Sequence, residues 1–470
     1  MIRRVVSFVC ATLWVGRASV LAQQQQPPPP AERPHNPTQE VAGQQAEGNA
    51  LDVGPAKLRI GGYLGLTAIF RSTNAGGGTA TRFGEIPYPD TLQGNVSETR
   101  LTAESSRLSI RVDADFPDEH RHFRSLAGYF EMDFSGTAPG NAEITTTSAG
   151  LRLRNAFMEL RYRGSLFVAA GQAYTLMTAA KDQLSVWPSD LEVTQAIDTN
   201  YIAGITWGRY PQLRVTWRPS KAFNWAASIE NPEQIIGAGL VALPSCCTSD
   251  IEAQFNTGSS ATSVPNVMPD FVSRIAINGS RVHVDAGGVV RVFRNSVAPY
   301  ADSYKTVGGG GSVDAAVRAT NGTRLIAQLA AGAGMGRYVG GLAPDVVFHA
   351  DGSIDPLRTT SWVAGVEQRI DARTSIAGYY SGIVTDAAYG HDSGGAYIGF
   401  GFPGATNADN RRIEEVTGTF STLTVATPNR GSAQVGVQCS WLRREPWSPN
   451  GGPSHADAFL FFVQLRYNLP

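Results

Sequence analysis

The chain has little that could staple, span or ligate. Four of its 470 residues are Cys, and Cys10 falls in an N-terminal apolar stretch. An exported chain would therefore keep only Cys246, Cys247 and Cys439, too few for a disulfide framework. Cys246 and Cys247 read either as a vicinal disulfide or as two loop thiols. Lysine is scarce, 4 residues against 35 arginines, which fits a GC-rich genome. A formal net charge of −1 gives no basic surface for nucleic acid. Beyond the N-terminus no run of eighteen apolar residues exists, and the mean hydropathy of −0.14 excludes a bundle of membrane helices. The seven histidines are scattered, and the close pair His120 and His122 reads as a solvated turn and not a metal site. Gly308–Gly311 is expected in an external loop, not between a strand and a helix, so it is no phosphate cradle. No Gly-x-Ser-x-Gly elbow with suitable partners appears. An enzyme, a cofactor and a metal are therefore not expected.

What the chain does have is a rhythm. Asn278-Gly279-Ser280, Thr320-Asn321-Gly322, Asp371-Ala372-Arg373 and Thr427-Pro428-Asn429 each separate two runs of alternating apolar and polar residues. Long connections rich in Gly, Pro, Asp, Ser and Asn (231–268, 335–358, 385–410) lie between these hairpins. Alternation predicts sixteen strands, near 57–71, 104–116, 124–135, 149–162, 165–175, 206–218, 223–230, 269–278, 281–293, 310–320, 323–334, 359–371, 374–384, 411–427, 430–443 and 457–468. In the second, Leu108, Ile110, Val112, Ala114 and Phe116 oppose Arg107, Ser109, Arg111, Asp113 and Asp115. Each strand approaches the roughly 9–11 residues that cross a bilayer at a tilt. An even strand count, tight turns at one end and long loops at the other predict an all-β fold: a transmembrane, antiparallel up-and-down barrel. Closure satisfies the edges that lipid would leave unpaired.

Residues 1–22 read as a secretory signal with Arg3 and Arg4, an apolar stretch and Val20-Leu21-Ala22 at its end. Residues 23–56, opening on four Gln and four Pro, read as a disordered periplasmic leader without heptads. The barrel domain is expected over 57–470, in the outer membrane of a Gram-negative-type bacterium.

Ser106-Arg107-Leu108, Glu131-Met132-Asp133-Phe134, Leu151-Arg152-Leu153-Arg154-Asn155-Ala156-Phe157, Ala170-Gly171-Gln172-Ala173-Tyr174 and Ile229-Glu230-Asn231-Pro232-Glu233 resemble, in order and spacing, the DcaP-like outer-membrane porins. Arg443-Arg444-Glu445 and Val463-Gln464-Leu465-Arg466-Tyr467-Asn468 extend the similarity. The resemblance implies a homotrimer of sixteen-stranded porins whose third external loop folds inward, and passive uptake of small, often anionic solutes such as dicarboxylates. Two features depart from it: the leader cannot form a coiled coil, and Leu469-Pro470 stands where a terminal aromatic is usual.

The third long connection, 176–205, carries Lys181, Asp182, Trp187, Asp190, Glu192 and Asp198, and a loop of this length is more often functional than a mere link. Inside the lumen its carboxylates would face a wall offering Arg107, Arg111, Arg152, Arg154, Arg214 and Arg218. Such guanidiniums would bind carboxylate or phosphate groups and favour anions. Alternatively Glu131, Asp133, Asp113 and Asp115 neutralise them in structural ion pairs. External Trp187, Trp447, Tyr88, Tyr304 and Tyr397 keep saccharide uptake open, and a closed-lumen surface barrel with adhesive loops is the rival class.

Overall fold

The computed structural model describes residues 50–470 apart from 117–121, 137–148, 238–239, 246, 256–265, 297–302 and 428–429. Signal, most of the leader and His120 lie outside the described residues. Sixteen long strands form the wall: β1 (Ala56–Arg71), β2 (Arg107–Asp115), β3 (Phe123–Asp133), β4 (Arg152–Tyr162), β5 (Leu166–Tyr174), β6 (Arg209–Trp217), β7 (Phe223–Glu230), β8 (Asp270–Asn278), β9 (Val282–Asn295), β10 (Tyr304–Arg318), β11 (Thr323–Ala333), β12 (Arg358–Arg369), β13 (Thr374–Thr385), β14 (Asn410–Thr427), β15 (Gly431–Pro446) and β16 (Ala456–Asn468). Each predicted run is present, with ends displaced by up to three residues except at β10, which starts six residues before the expected 310.

Every wall strand pairs antiparallel with its sequence neighbours, and β1 closes the ring. On one edge β1 meets β16, from Tyr63↔Asn468 to Arg71↔Leu460. On the other it meets β2, from Ala56↔Ala114 to Tyr63↔Arg107, then the short strand Glu98–Thr102. The change of partner falls between Tyr63 and Thr67, just after Gly62, which has φ +121° and where a Cβ would stand 2.0 Å from the carbonyl oxygen of Arg107. Only glycine fits so close a crossing.

Alternation sets the two faces. Leu64, Leu66, Leu213, Ile275, Val313, Leu329, Val416 and Leu465 point outward and are exposed, while Thr67, Ser109, Gln212, Asp285, Ser361, Gln438 and Gln464 point inward and are buried. A soluble protein does not present so continuous an apolar belt to water, whereas a bilayer requires it. Trp362, Tyr380, Trp441 and Phe459 lie near the loop ends of β12–β16, at the position of an interfacial girdle. No helix among the described residues is long and apolar enough to cross a membrane.

Three details differ from the sequence reading, and one narrows alternatives that it left open. Order begins before residue 57: Leu51–Val53 turns back through Gly54 (φ +62°) to pair with the start of β1. Gly308–Gly311 lies within β10 and not in a loop, because four glycines carry no alternation to read. Their bareness is used: a Cβ on Gly310 would meet the Met335 sulfur at 2.2 Å. Cys247 is disulfide-bonded, which removes the loop-thiol alternative for it. Tyr88, expected on the outside, is 2% exposed.

Candidate functional site

The connection between β5 and β6, residues 175–208, runs inside the ring and is buried along most of its length. The reason is local. Its apolar members, Leu176, Met177, Leu184, Val186, Val193, Ala196, Ile197, Ile202 and Ile205, find cover only against other inward elements. Its backbone polar groups then need partners, and the polar inner wall supplies them. Glu230 on β7 accepts from the Leu176 amide at 2.9 Å and the Thr175 hydroxyl at 2.6 Å. Asp285 on β9 accepts from the Ala180 amide, and Arg274 on β8 donates to the Met177 carbonyl. Across the lumen, the Tyr379 hydroxyl on β13 accepts from the Gln195 amide and Glu415 on β14 from the Ala203 amide. Gln438 on β15 accepts from the Asp198 amide. The loop thus bridges the bore from side to side.

The loop's charged residues take positions the sequence could not disclose. Asp190 accepts from the amides of Asp182, Gln183 and Ser185 at 3.1, 3.0 and 2.7 Å, tying the loop to itself. Burial and the neighbouring Asp182 push its carboxyl up to about 6. Lys181 donates from Nζ to the Ser189 carbonyl, and burial, helped by Arg324, lowers its ammonium to about 7. Asp182 offers its carbonyl oxygen to Asn224 and Asn278. Glu192 turns away from β2–β6 altogether and forms an ion pair with Arg324 on β11, which also reaches Glu367. Asp198 binds the Thr81 amide in the first external loop. Glu192 and Asp198 therefore do not face the β2–β6 wall as expected, and their partners lie more than a hundred residues away. Asp190 and Asp182 stay on the side of Arg218, with which both interact electrostatically.

That wall is built in two tiers. Arg107, Asp133 and Arg152 share one row of the sheet, and Arg111 stands about 13 Å further along β2. In the upper tier Arg152 grips Asp133 with two nitrogens at 2.8 and 3.0 Å. Arg154 reaches Glu131 at 2.7 Å, Asp133 at 2.7 Å and the Tyr174 hydroxyl at 2.8 Å. Tyr174 in turn meets the Tyr201 hydroxyl of the loop at 2.8 Å. Arg107 lies 3.7 Å from Glu131 and over the Tyr63 ring.

In the lower tier Arg111 pairs with Asp113 and covers Trp187 at 4.1 Å. Trp187, expected outside, is wedged edge-on against Tyr129 and Phe157 and donates to Glu159 at 2.7 Å. Arg214 holds the loop through the carbonyls of Ser185 and Tyr174. Arg218 reaches Gln183 at 3.0 Å and lies over Phe167 at 3.9 Å. Among the described residues neither Arg214 nor Arg218 has a carboxylate within ion-pair distance. Arg209, not singled out from the sequence, lies between the Tyr174 and Trp207 rings with one buried nitrogen lacking a hydrogen bond. Its signal was poor, since by alternation it falls on the outward side of β6.

The two walls therefore differ in sign. On β2–β6 and its flanks Arg107, Arg111, Arg152, Arg154, Arg209, Arg214 and Arg218 stand against Asp113, Glu131, Asp133 and Glu159. On β7–β14 and the 334–357 loop, Glu230, Asp270, Asp285, Asp314, Asp345, Glu367 and Glu415 stand against Arg274, Arg291, Arg324 and Arg337. Above the inner loop a cavity of about 400 Å³ opens among the external loops, lined by Arg82, Phe83, Asn200, Trp207, Gly340 and Leu342, among others.

A closed sixteen-stranded ring with an apolar exterior, a charged bore and an inward third loop defines a transmembrane β-barrel of the outer membrane, with the architecture of a porin. No protein-family model matches the chain, and no curated protein matches its sequence. Among solved structures it is similar to the outer-membrane channel DcaP of Acinetobacter baumannii, with 15% identity, 91% of this chain and 100% of that one covered, and a TM-score of 0.63. OmpT of Vibrio cholerae follows at 11% identity, 89% and 100% coverage and a TM-score of 0.48, and OmpF of Salmonella typhi at 10%, 89% and 100%, and 0.47. The DcaP match establishes a shared fold, the one the sequence resemblance implied.

Proposed function

We propose that the protein is an outer-membrane porin for passive diffusion of small hydrophilic solutes, with a preference for anions, and that it works as a homotrimer. One observation carries the reading: the third loop spans a bore whose β2–β6 wall holds more guanidiniums than carboxylates, some of them without an ion-pair partner. Fixed cations along a narrow, partly desolvated passage raise the local concentration of anions and shed little energy in reorganising. Arg111 and Arg218 are the groups best placed to meet a solute, being held by aromatic rings and not fully consumed by carboxylates. The opposite wall's carboxylates add a field across the bore that disfavours apolar solutes.

Planar-bilayer recording under a salt gradient tests this. The wild type should give stepwise conductance with a reversal potential on the anion side, and Arg111→Gln/Arg218→Gln should move it toward cations. An unchanged reversal potential would remove the arginines from selectivity. A protein that inserts without any current steps would favour the closed-lumen surface barrel, a reading helped by the depth at which the third loop is buried.

A further inference from the structure

The external loop 386–409 contains a hairpin that the porin reading leaves unused. Its two strands, Ala388–His391 and Tyr397–Phe400, pair from Ala388↔Phe400 to His391↔Tyr397. Alternation gives it two faces. Ile398 and Phe400 are 1% and 2% exposed, and Phe400 belongs to the apolar cluster with Phe348 and Phe255. A hairpin anchored on that side would ordinarily turn polar residues to water. This one turns out Tyr389, His391 and Tyr397, with Phe402 beside them.

The rings are assembled, not merely near one another. Tyr397 and Phe402 stack at 5.2 Å and 11°, His391 lies 4.4 Å from Tyr397, and Tyr389 meets Tyr397 edge-on at 5.8 Å. Tyr389 and Tyr397 nevertheless remain 47% and 39% exposed. The platform is rigid. Gly399 exchanges two backbone hydrogen bonds with Ala242, at 2.8 and 2.9 Å, and Ser245 donates to Asp392 at 3.0 Å. Asp392 also closes the turn by accepting from the amides of Gly394 and Ala396.

Three properties identify what such a face takes. The exposed ring area is on the order of 300 Å², given the 150–250 Å² an aromatic side chain can bury. That is well short of the ~800 Å² per partner of a stable protein interface. No charged side chain belongs to the ring cluster, so nothing in it attracts a phosphate, an anionic lipid or an acidic peptide. The edges carry two phenol hydroxyls and an imidazole, which exchange hydrogen bonds with hydroxyl-bearing ligands. We propose that this hairpin is a docking platform for a neutral glycan, whose pyranose faces stack on Tyr389 and Tyr397 while their hydroxyls meet the ring edges. This site is external and separate from the bore, so it stands or falls independently of conduction.

The test uses the full-length protein in detergent, with maltohexaose and the β-1,4-linked tetramer of N-acetylglucosamine as probes, followed by calorimetry and saturation-transfer NMR. At least one probe should bind. Tyr389→Ser/Tyr397→Ser should weaken it at least tenfold, while Tyr389→Phe/Tyr397→Phe stays within about threefold, because ring faces carry most of the contact. Circular dichroism and heat-modified mobility of both variants should equal those of the wild type, which certifies folding whether or not the barrel conducts. Failure of both probes, equal binding by the serine variant, or a change of oligomeric state in that variant would each overturn the proposal, the last by making the face a contact between copies.

Discussion

At the scale of single residues, arginines of one wall differ in what they do. Arg154 holds Glu131 and Asp133 at 2.7 Å each and is 3% exposed. Removing it leaves Asp133 to Arg152 and Glu131 to the more distant Arg107 and the Tyr129 hydroxyl, so the loss stays below the about 3–5 kcal/mol of a buried charge stripped of every partner. Arg154→Gln should therefore lower the unfolding temperature in detergent by several degrees, read by circular dichroism or heat-modified mobility. Arg111→Gln and Arg218→Gln, which leave no such buried pair, should unfold as the wild type does. Equal melting of all three would mean that Arg154 is solvated and no more structural than its neighbours. Alternation gave six arginines a side of the sheet, and it gave Arg209 the outward one although its guanidinium lies between the Tyr174 and Trp207 rings. Which of the six are neutralised was not legible, because Glu131 and Asp133 lie on another strand at a register the sequence does not print. Trp187 shows the same limit: its indole sits in the bore only because Tyr129, Phe157 and Arg111 surround it there.

At the scale of elements, the sixteen strands were readable because a period of two is a local signal that lipid on one face and water on the other impose over most of each strand. The short strands inside the loops were not, since runs such as Val346–Phe348 and Ile354–Pro356 are too brief to show a period. The third loop was visible as long and acidic, but its course depends on contacts such as Glu192 with Arg324, which stand 132 residues apart. Its chemistry makes it responsive to pH. As pH falls through about 7 Lys181 takes up a proton and becomes a cation. As it falls through about 6 Asp190 takes up another and loses its negative charge. Both steps make the loop more positive, so the chloride-to-potassium permeability ratio should rise between pH 8 and pH 5. Lys181→Met should abolish the part of that rise centred near 7. A ratio that stays flat across the range would show that the loop's charges do not reach the permeating ions. Protonated Asp190 also holds the amides of 182, 183 and 185 less firmly, which should appear as current flicker below pH 6.

At the scale of the whole molecule, the outward apolar belt and the inward charge follow from one pattern repeated sixteen times. The proposed trimer has a direct readout: currents at high voltage should close in three equal steps, and cross-linking of native membranes should yield a threefold band. A single closing step of full amplitude would argue for a lone barrel. Within one barrel, closure depends on Ala56–Arg71 alone, which is hydrogen-bonded to Arg107–Asp115 on one edge and to Ala456–Asn468 on the other. The seam therefore joins segments some 400 residues apart in a chain of 470. A polypeptide emerging in order from its amino end can lay each strand against the one before it, but the free flank of Ala56–Arg71 stays without its partner until Ala456–Asn468 has been made. Sealing of the cylinder is thus the last pairing event, whatever the order in which the other fifteen strands come together.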